Sequence, residues 1–301
     1  MKKNYPRDMI GYGSKTPVIK WPNGAKIALQ IVLNYEEGAE NCVLHGDKTS
    51  EVFLSEIIGA QPIKGRHINM ESFYEYGSKR GFWRLHELFQ KKKIPITIFG
   101  VGMALERNKD VCDAIKESDY EVASHGWRWI DYQKIPKATE KKHMQLAIQS
   151  IKKIFGKRPL GWYTGRCSPN TRDLVMEEGG FLYDSDSYSD DLPYWITKGK
   201  KKQLIIPYTL DNNDMRFATN QGFNSGDQFF TYLKDSFDAL YEEGNTNPKM
   251  MSVGLHCRLI GRPGRIQSLK KFLDYVLKHD DVWLCKRIDI AKHWIKNYSN
   301  I

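Results

Sequence analysis

The chain has 301 residues, with 46 Lys and Arg against 36 Asp and Glu, a formal net charge of +10 and 41% hydrophobic residues. That apolar share can build a large core and excludes intrinsic disorder as the main state, and no apolar run approaches the ~18–20 residues of a membrane span. The five cysteines, Cys42, Cys112, Cys167, Cys257 and Cys285, are too widely spread for a zinc pattern or a disulfide framework. Residues 1–6 carry two lysines with no apolar stretch after them, so they do not read as a secretory signal. The expectation is a cytoplasmic protein with reduced thiols. Lysine runs at 91–93, 152–153, 200–202 and 270–271 are spread along apparent helices and turns, with no nucleic-acid motif beside them. They read as solvated faces, and neither a nucleic-acid nor a membrane partner is expected.

In chain order, residues 26–33 (KIALQIVL) read as a buried strand, followed by a long irregular stretch. Phe82, Trp83, Leu85, Leu88 and Phe89 recur at helical spacing, and a strand at 94–99 follows at once. A helix at 109–117 leads into a strand at 120–124, and a helix from about 139 to 155 leads into extended structure at 160–163. Thr171 is placed to cap a short helix that stops at Gly179-Gly180. Further strands are expected at 181–183, 204–208, 250–255 and 282–285, with helices at 227–243, 265–278 and 288–296. This β/α alternation predicts a parallel (β/α) barrel in one domain spanning residues 1–301. Residues 1–25 read as an N-terminal arm and 37–72 as a long active-site or oligomer loop.

In such a barrel, chemistry gathers at the C-terminal ends of the strands. Here those ends carry Glu36-Glu37, His125 to Trp129, Thr164 to Ser168, Asp184 to Asp186, Asp211 to Asp214, and His256-Cys257-Arg258. Any one cluster could be a turn or a cap, but their joint placement predicts an active site on one rim. The Asp211-Asn212-Asn213-Asp214 run is rich in oxygen but lacks the rest of a calcium loop, so it reads as a turn or pocket rim. Cys167 and Cys257 flank the expected site, yet nothing in the sequence marks either thiol as activated.

Glu36-Glu37, His125, Arg166 and His256 fall in the order of the polysaccharide deacetylase (NodB-homology) superfamily, which the chain resembles. The resemblance implies a distorted, TIM-like (β/α) barrel. In that superfamily the first motif is an Asp-Asp pair supplying a base and a metal ligand, and the second is His-x-x-x-His, supplying both metal histidines. An Arg-Pro-Pro-Tyr-like turn follows, and a final histidine acts as general acid. The sequence departs from the pattern at the metal: His125 stands in the first histidine position, but Trp129 stands in the second, and indole has no lone pair to donate. Glu36-Glu37 replaces the Asp pair, and Cys167-Ser168 replaces the Pro-Pro turn. These departures, with the strings VLNYEEGAENCVLHGD (32–47), SHGWRWIDY (124–132), SDDLPYW (189–195), LDNNDMRF (210–217) and HCRLIGRPGR (256–265), resemble the metal-independent allantoinase branch.

The resemblance implies hydrolytic opening of a hydantoin ring, with allantoin going to allantoate, no cofactor or metal, a small ureide as substrate and a homo-oligomer, a tetramer. It implies Glu36, with Glu37, as the base and His256 as the acid that protonates the leaving nitrogen. His125 is expected to donate a hydrogen bond to the substrate or to the developing oxyanion. Arg166 either grips the substrate or pairs with Glu37 or Asp186. Trp129 and Trp195 are expected in the pocket wall and Asn212 at its rim. Arg258, in a Gly/Pro-rich loop, would bind substrate or lock a neighbouring subunit. Two alternatives stand: a metal-dependent deacetylase of N-acetylated sugars or peptidoglycan, and a silent binding module for saccharide or nucleic acid.

Overall fold

The structure, a computed structural model, describes residues 5–301. Part of the segment read as lacking a secretory signal, and the start of the expected arm, therefore lie outside the described residues. The chain enters the sheet through β1 (Ile27–Tyr35), whose nine residues are all buried. A near-continuous apolar run of this kind is the mark of a central parallel strand covered on both faces. Its polar exceptions, Gln30 and Asn34, are hydrogen-bonded inside the sheet, Asn34 Nδ2 donating to Tyr208 Oη and to the Leu255 carbonyl, both at 3.0 Å.

After an irregular stretch come α1 (Ile68–Tyr76), a π-turn (Gly77–Gly81) and α2 (Phe82–Lys92), which leads into β2 (Ile96–Gly100). Next are α3 (Gly102–Glu106), α4 (Lys109–Glu117), β3 (Glu121–Ser124), α5 (Lys137–Phe155), β4 (Gly161–Trp162), α6 (Thr171–Glu178) and β5 (Tyr183–Asp184). A hairpin of β6 (Tyr194–Lys198) and β7 (Lys201–Ile205) follows, then α7 (Gly226–Glu243), β8 (Lys249–His256), α8 (Pro263–Val276), β9 (Val282–Leu284) and α9 (Arg287–Asn297).

Among the described residues, nine strands form one sheet in the order β6-β7-β5-β4-β3-β2-β1-β8, with β9 pairing the first residues of β1. All pairings are parallel except β6 with β7. The sheet curls into a distorted (β/α) barrel. Its seam, between β7 and β8, is stitched by the segment after β7: Asn213 bridges Gly254, and the Gly254 N–H donates to the Asn212 carbonyl at 2.9 Å. Gly254 is required there, because a Cβ would lie 2.3 Å from Asn213 Nδ2.

Three expectations are corrected. The 37–72 stretch is not all loop, since α1 begins at Ile68 and buries Met70 and Tyr74. The expected strand at 204–208 sits earlier, at Lys201–Ile205, because Pro207 has no N–H for a ladder while the exposed lysines can occupy an edge hairpin. Its partner β6, half-buried at Tyr194 to Ile196 and exposed at Thr197 and Lys198, has no counterpart among the expected strands. Finally, Thr171 is the first residue of α6 rather than its cap; its hydroxyl accepts from Ser168 N and donates to Glu140.

Candidate active site

Strand register brings the site together. Neighbouring strands β1 and β8 pair Asn34 with His256, so Glu36, two residues on, overhangs the end of β8. Tyr35 pairs Gly100 and Gly100 pairs Ser124, which sets Glu36 and His125 at the same height two strands apart, and the curl of the sheet turns them toward each other. Glu36 Oε1 lies 3.1 Å from His125 Nε2 and 3.4 Å from His256 Nε2. Its other oxygen accepts from Arg258 Nη2 at 2.8 Å. Arg258 Nη1 lies 3.4 Å from Glu37 Oε1, and Arg258 Nε donates to the Leu54 carbonyl at 2.9 Å. On the far side of His256, Nδ1 meets Asp214 Oδ1 at 2.6 Å, while Asp214 Oδ2 accepts the main-chain N–H of His256 and of Ile260. Glu36, Glu37, His125, Asp214, His256 and Arg258 are each between 0% and 4% exposed, so solvent does little to screen these charges.

Burial alone would raise the pKa of Glu36, but the charges of His256 and Arg258 and hydrogen bonds from both histidines outweigh it and hold the carboxyl well below the usual range. Burial disfavours charge on His256 as well. Glu36 and Asp214 overcome that and raise its pKa to about 9, so it carries a proton at neutral pH. The two form an ion pair. Glu37 is pushed the other way, upward, chiefly by burial.

Adjacent residues at a strand end face apart, and Glu37 packs toward the π-turn instead of the histidines. A Cβ on Gly77 would lie 2.3 Å from Glu37 Oε1, so only glycine admits it. Because an ionised carboxylate only accepts, His125 Nε2 must carry the proton that meets Glu36. His125 Nδ1 is buried without a partner. Nε2 is engaged with Glu36, so Nδ1 is the ring nitrogen His125 has left for a ligand.

The remaining expected residues divide. Arg166 pairs with neither Glu37 nor Asp186 but stands 3.5 Å from Glu51, with its guanidinium over the rings of Trp129 (5.0 Å) and Phe53 (5.5 Å). Asp186 instead accepts from Thr164 N and Gly165 N and so holds the loop that carries Arg166. Trp129 is buried, stacked on Phe53 and beneath Arg258. Asn212 works through its main chain at the barrel seam, while its side-chain Oδ1 is buried without a partner.

Two residues are displaced from their expected roles. Trp195 is not in this cluster: it lies on the edge strand β6, donates to the Tyr298 carbonyl and lines a separate cavity of about 910 Å3 with residues 6–13, Arg172 and Asp186. Arg258, expected to bind substrate or lock a neighbouring subunit, is wholly buried between the two glutamates and the face of Tyr74, 4.2 Å away. Cys257 and Cys167 have thiol pKa values pushed up, first by burial, which removes them as nucleophiles. Asp214 was legible only as part of a polar run. Tyr74, Leu54 and Glu51, all inside or next to the presumed loop, gave no signal.

A curled parallel barrel that gathers a buried carboxylate–histidine ion pair at its C-terminal rim defines a class: a (β/α) barrel whose site is built for acid–base chemistry. A polysaccharide deacetylase family profile matches residues 70–177. A Schizosaccharomyces pombe protein that bears a polysaccharide deacetylase name is 43% identical over 309 aligned residues, covering 96% of each chain. This chain belongs to the polysaccharide deacetylase family.

Two crystal structures match it nearly end to end. One is a Pseudomonas aeruginosa PAO1 protein described as a polysaccharide deacetylase, 59% identical over 98% of this chain and 99% of that one, with a TM-score of 0.96. The other is PuuE allantoinase, 57% identical over 99% and 100%, with a TM-score of 0.97. The divalent metal that the family pattern implies does not fit the residues present. Trp129 supplies no donor, His125 Nε2 is turned to Glu36, and a guanidinium already lies against both glutamates. Among the described residues, no group of three or more His, Cys, Asp or Glu side chains is arranged to hold a metal ion.

Proposed function

We propose that this chain opens the hydantoin ring of allantoin to give allantoate, a hydrolysis of a cyclic amide in ureide catabolism, without a metal. The observation that carries the reading is the end-to-end likeness to PuuE allantoinase at 57% identity, and the site's geometry supports it. Water must attack a ring carbonyl and the ring C–N bond must break. Glu36, held ionised and facing His256 at 3.4 Å, takes the water's proton. His256, which holds its proton at neutral pH, gives it to the departing nitrogen. One proton is taken and one given, so the ion pair ends as a neutral pair. It resets when Glu36 passes its proton to His256 across the same contact. His125 Nδ1, buried and unpaired, is left for a polar group of the ureide.

In this reading the chain acts as one barrel domain in the cytoplasm, on a small molecule and with no nucleic-acid or membrane partner. Among the described residues no helix is long and apolar enough to cross a membrane. It acts as a homotetramer, supported by the exposed apolar side chains of Met9, Ile10, Leu44, Ile58 and Ile63 on the arm and the long loop. The test is to incubate the purified protein with allantoin and, separately, with acetylated chitooligosaccharides. Allantoate formation with no acetate release is the expected result. Acetate release without ring opening would transfer the assignment to a deacetylase, and saturable binding without either product would leave a binding module.

A further inference from the structure

The carboxylates of Glu36 and Glu37 both turn an oxygen toward one cation, the Arg258 guanidinium, at 2.8 and 3.4 Å. The third nitrogen, Nε, is fixed on the Leu54 carbonyl at 2.9 Å, and Leu54 itself takes a left-handed backbone (φ 48°) that an unbranched-β residue adopts only when its surroundings demand it. The guanidinium faces Tyr74 at 4.2 Å and Trp129 at 5.1 Å. Arg258 is 1% exposed, and the main-chain N–H of Ile260, two residues on, is pinned to Asp214. A side chain with its donors engaged, its faces covered and its loop anchored is not poised to reach out for a ligand.

We infer that the Arg258 guanidinium is the resident cation of this site: it lies against Glu37 and over Trp129, which stand in the family's metal-carboxylate and second-histidine positions, and it holds Glu36 aimed at the two histidines rather than gripping substrate. The choice of arginine follows from geometry. A planar fork can face two carboxylates at once and lie on aromatic faces, whereas a lysine ammonium can do neither as well. Trp129 belongs to the same device, because an indole in that place provides a face for the cation instead of a ligand for a metal. Arg258 is thus a positioning residue, acting on the reaction through Glu36.

The inference deepens the proposed function and rests on it only for its kinetic arm. That arm compares wild type, Arg258→Ala and Arg258→Lys on allantoin. A positioning role predicts that kcat falls about 100-fold or more in Arg258→Ala while KM stays within about threefold, with Arg258→Lys in between and millimolar guanidinium chloride restoring part of the Arg258→Ala rate. A raised KM with kcat unchanged, the mark of lost substrate binding, would overturn it. The second arm needs no substrate. After equilibrium dialysis against Co2+, wild type should retain none, while folded Arg258→Ala, with Glu36 and Glu37 released from the guanidinium, should retain the ion with a visible absorption band. Co2+ held by wild type, or refused equally by folded Arg258→Ala, would contradict the assignment. If Arg258→Ala fails to fold by circular dichroism, Arg258→Lys alone decides the kinetic arm. If wild type opens no allantoin, the proposed function fails and the Co2+ arm still judges Arg258.

Discussion

Two arginines are fully buried in this barrel, and they live by opposite rules. Arg258, at the rim, faces Glu36 and Glu37. Arg287, inside the curl of the sheet, hydrogen-bonds only neutral oxygens: Gln30 Oε1 at 2.6 Å, Ser252 Oγ at 2.8 Å, Ser185 Oγ at 2.9 Å and the carbonyls of Ile206 and Pro207. Burial is the largest single influence on each and lowers both, but at the rim Tyr74, Glu36 and Glu37 together outweigh it and raise the pKa of Arg258, while that of Arg287 is lowered. The interior arginine ties together residues from β1, β8 and the ends of β5 and β7, and so works as a polar plug in the barrel. The rim arginine sits in a dense set of charges that includes, in the proposed reaction, the groups that move protons. A buried cation with neutral acceptors is assigned here to the fold, and one with carboxylates beside a charged histidine to the proposed chemistry.

That contrast predicts separable losses. Glu36→Gln removes the base, and kcat on allantoin should fall by roughly 10³-fold with thermal unfolding little changed; a variant that keeps full turnover would dissolve the rim's claim to chemistry. Arg287→Met should do the reverse. It leaves several buried acceptors unpaired, so denaturant unfolding should show a loss of about 3 kcal/mol, while the folded fraction keeps its specific activity. Normal stability would mean the interior plug is dispensable.

Asp214→Asn tests the link between the rim and the barrel seam. It removes one of the two anions that hold the His256 pKa near 9. Wild-type kcat/KM should therefore persist through neutrality and fall above about pH 9, as His256 loses the proton it must donate. In the variant that basic limb should move to lower pH, with kcat down by about 10- to 100-fold. An unmoved limb would show that His256 is not the acid. The smallest effect is expected for Arg166→Gln, at the edge of the cluster and bound to Glu51. A change in KM of less than about tenfold with kcat preserved fits a flanking residue, whereas a large kcat loss would bring Arg166 into the catalytic set.

Much of this could be read from sequence, because the barrel writes its chemistry where apolar strands stop. β1 is an unbroken buried run that ends in Glu36-Glu37, and β8 ends at His256. The helix Lys109–Glu117 matches its expected bounds because its apolar face is cleanly periodic and Asn108 caps it. What escaped was long-range or locally ambiguous. The burial of Arg258 depends on Leu54 and Tyr74, about 200 positions away in the chain and inside a stretch with weak patterning. Trp195 was misplaced because β6, a half-exposed edge strand, has neither a buried run nor a strict alternation. Asp214 lies in a polar run of which Asn212 and Asn213 are also buried, and its pairing with His256 depends on a long-range contact that the run itself does not mark.

The most direct test of the account is the rate of allantoate formation by the purified protein after exhaustive dialysis against a strong chelator, with residual metal measured in the same sample. A guanidinium-centred site predicts undiminished turnover at far less than one metal ion per chain. Activity that disappears on chelation and returns with added Zn2+ or Co2+ would contradict it.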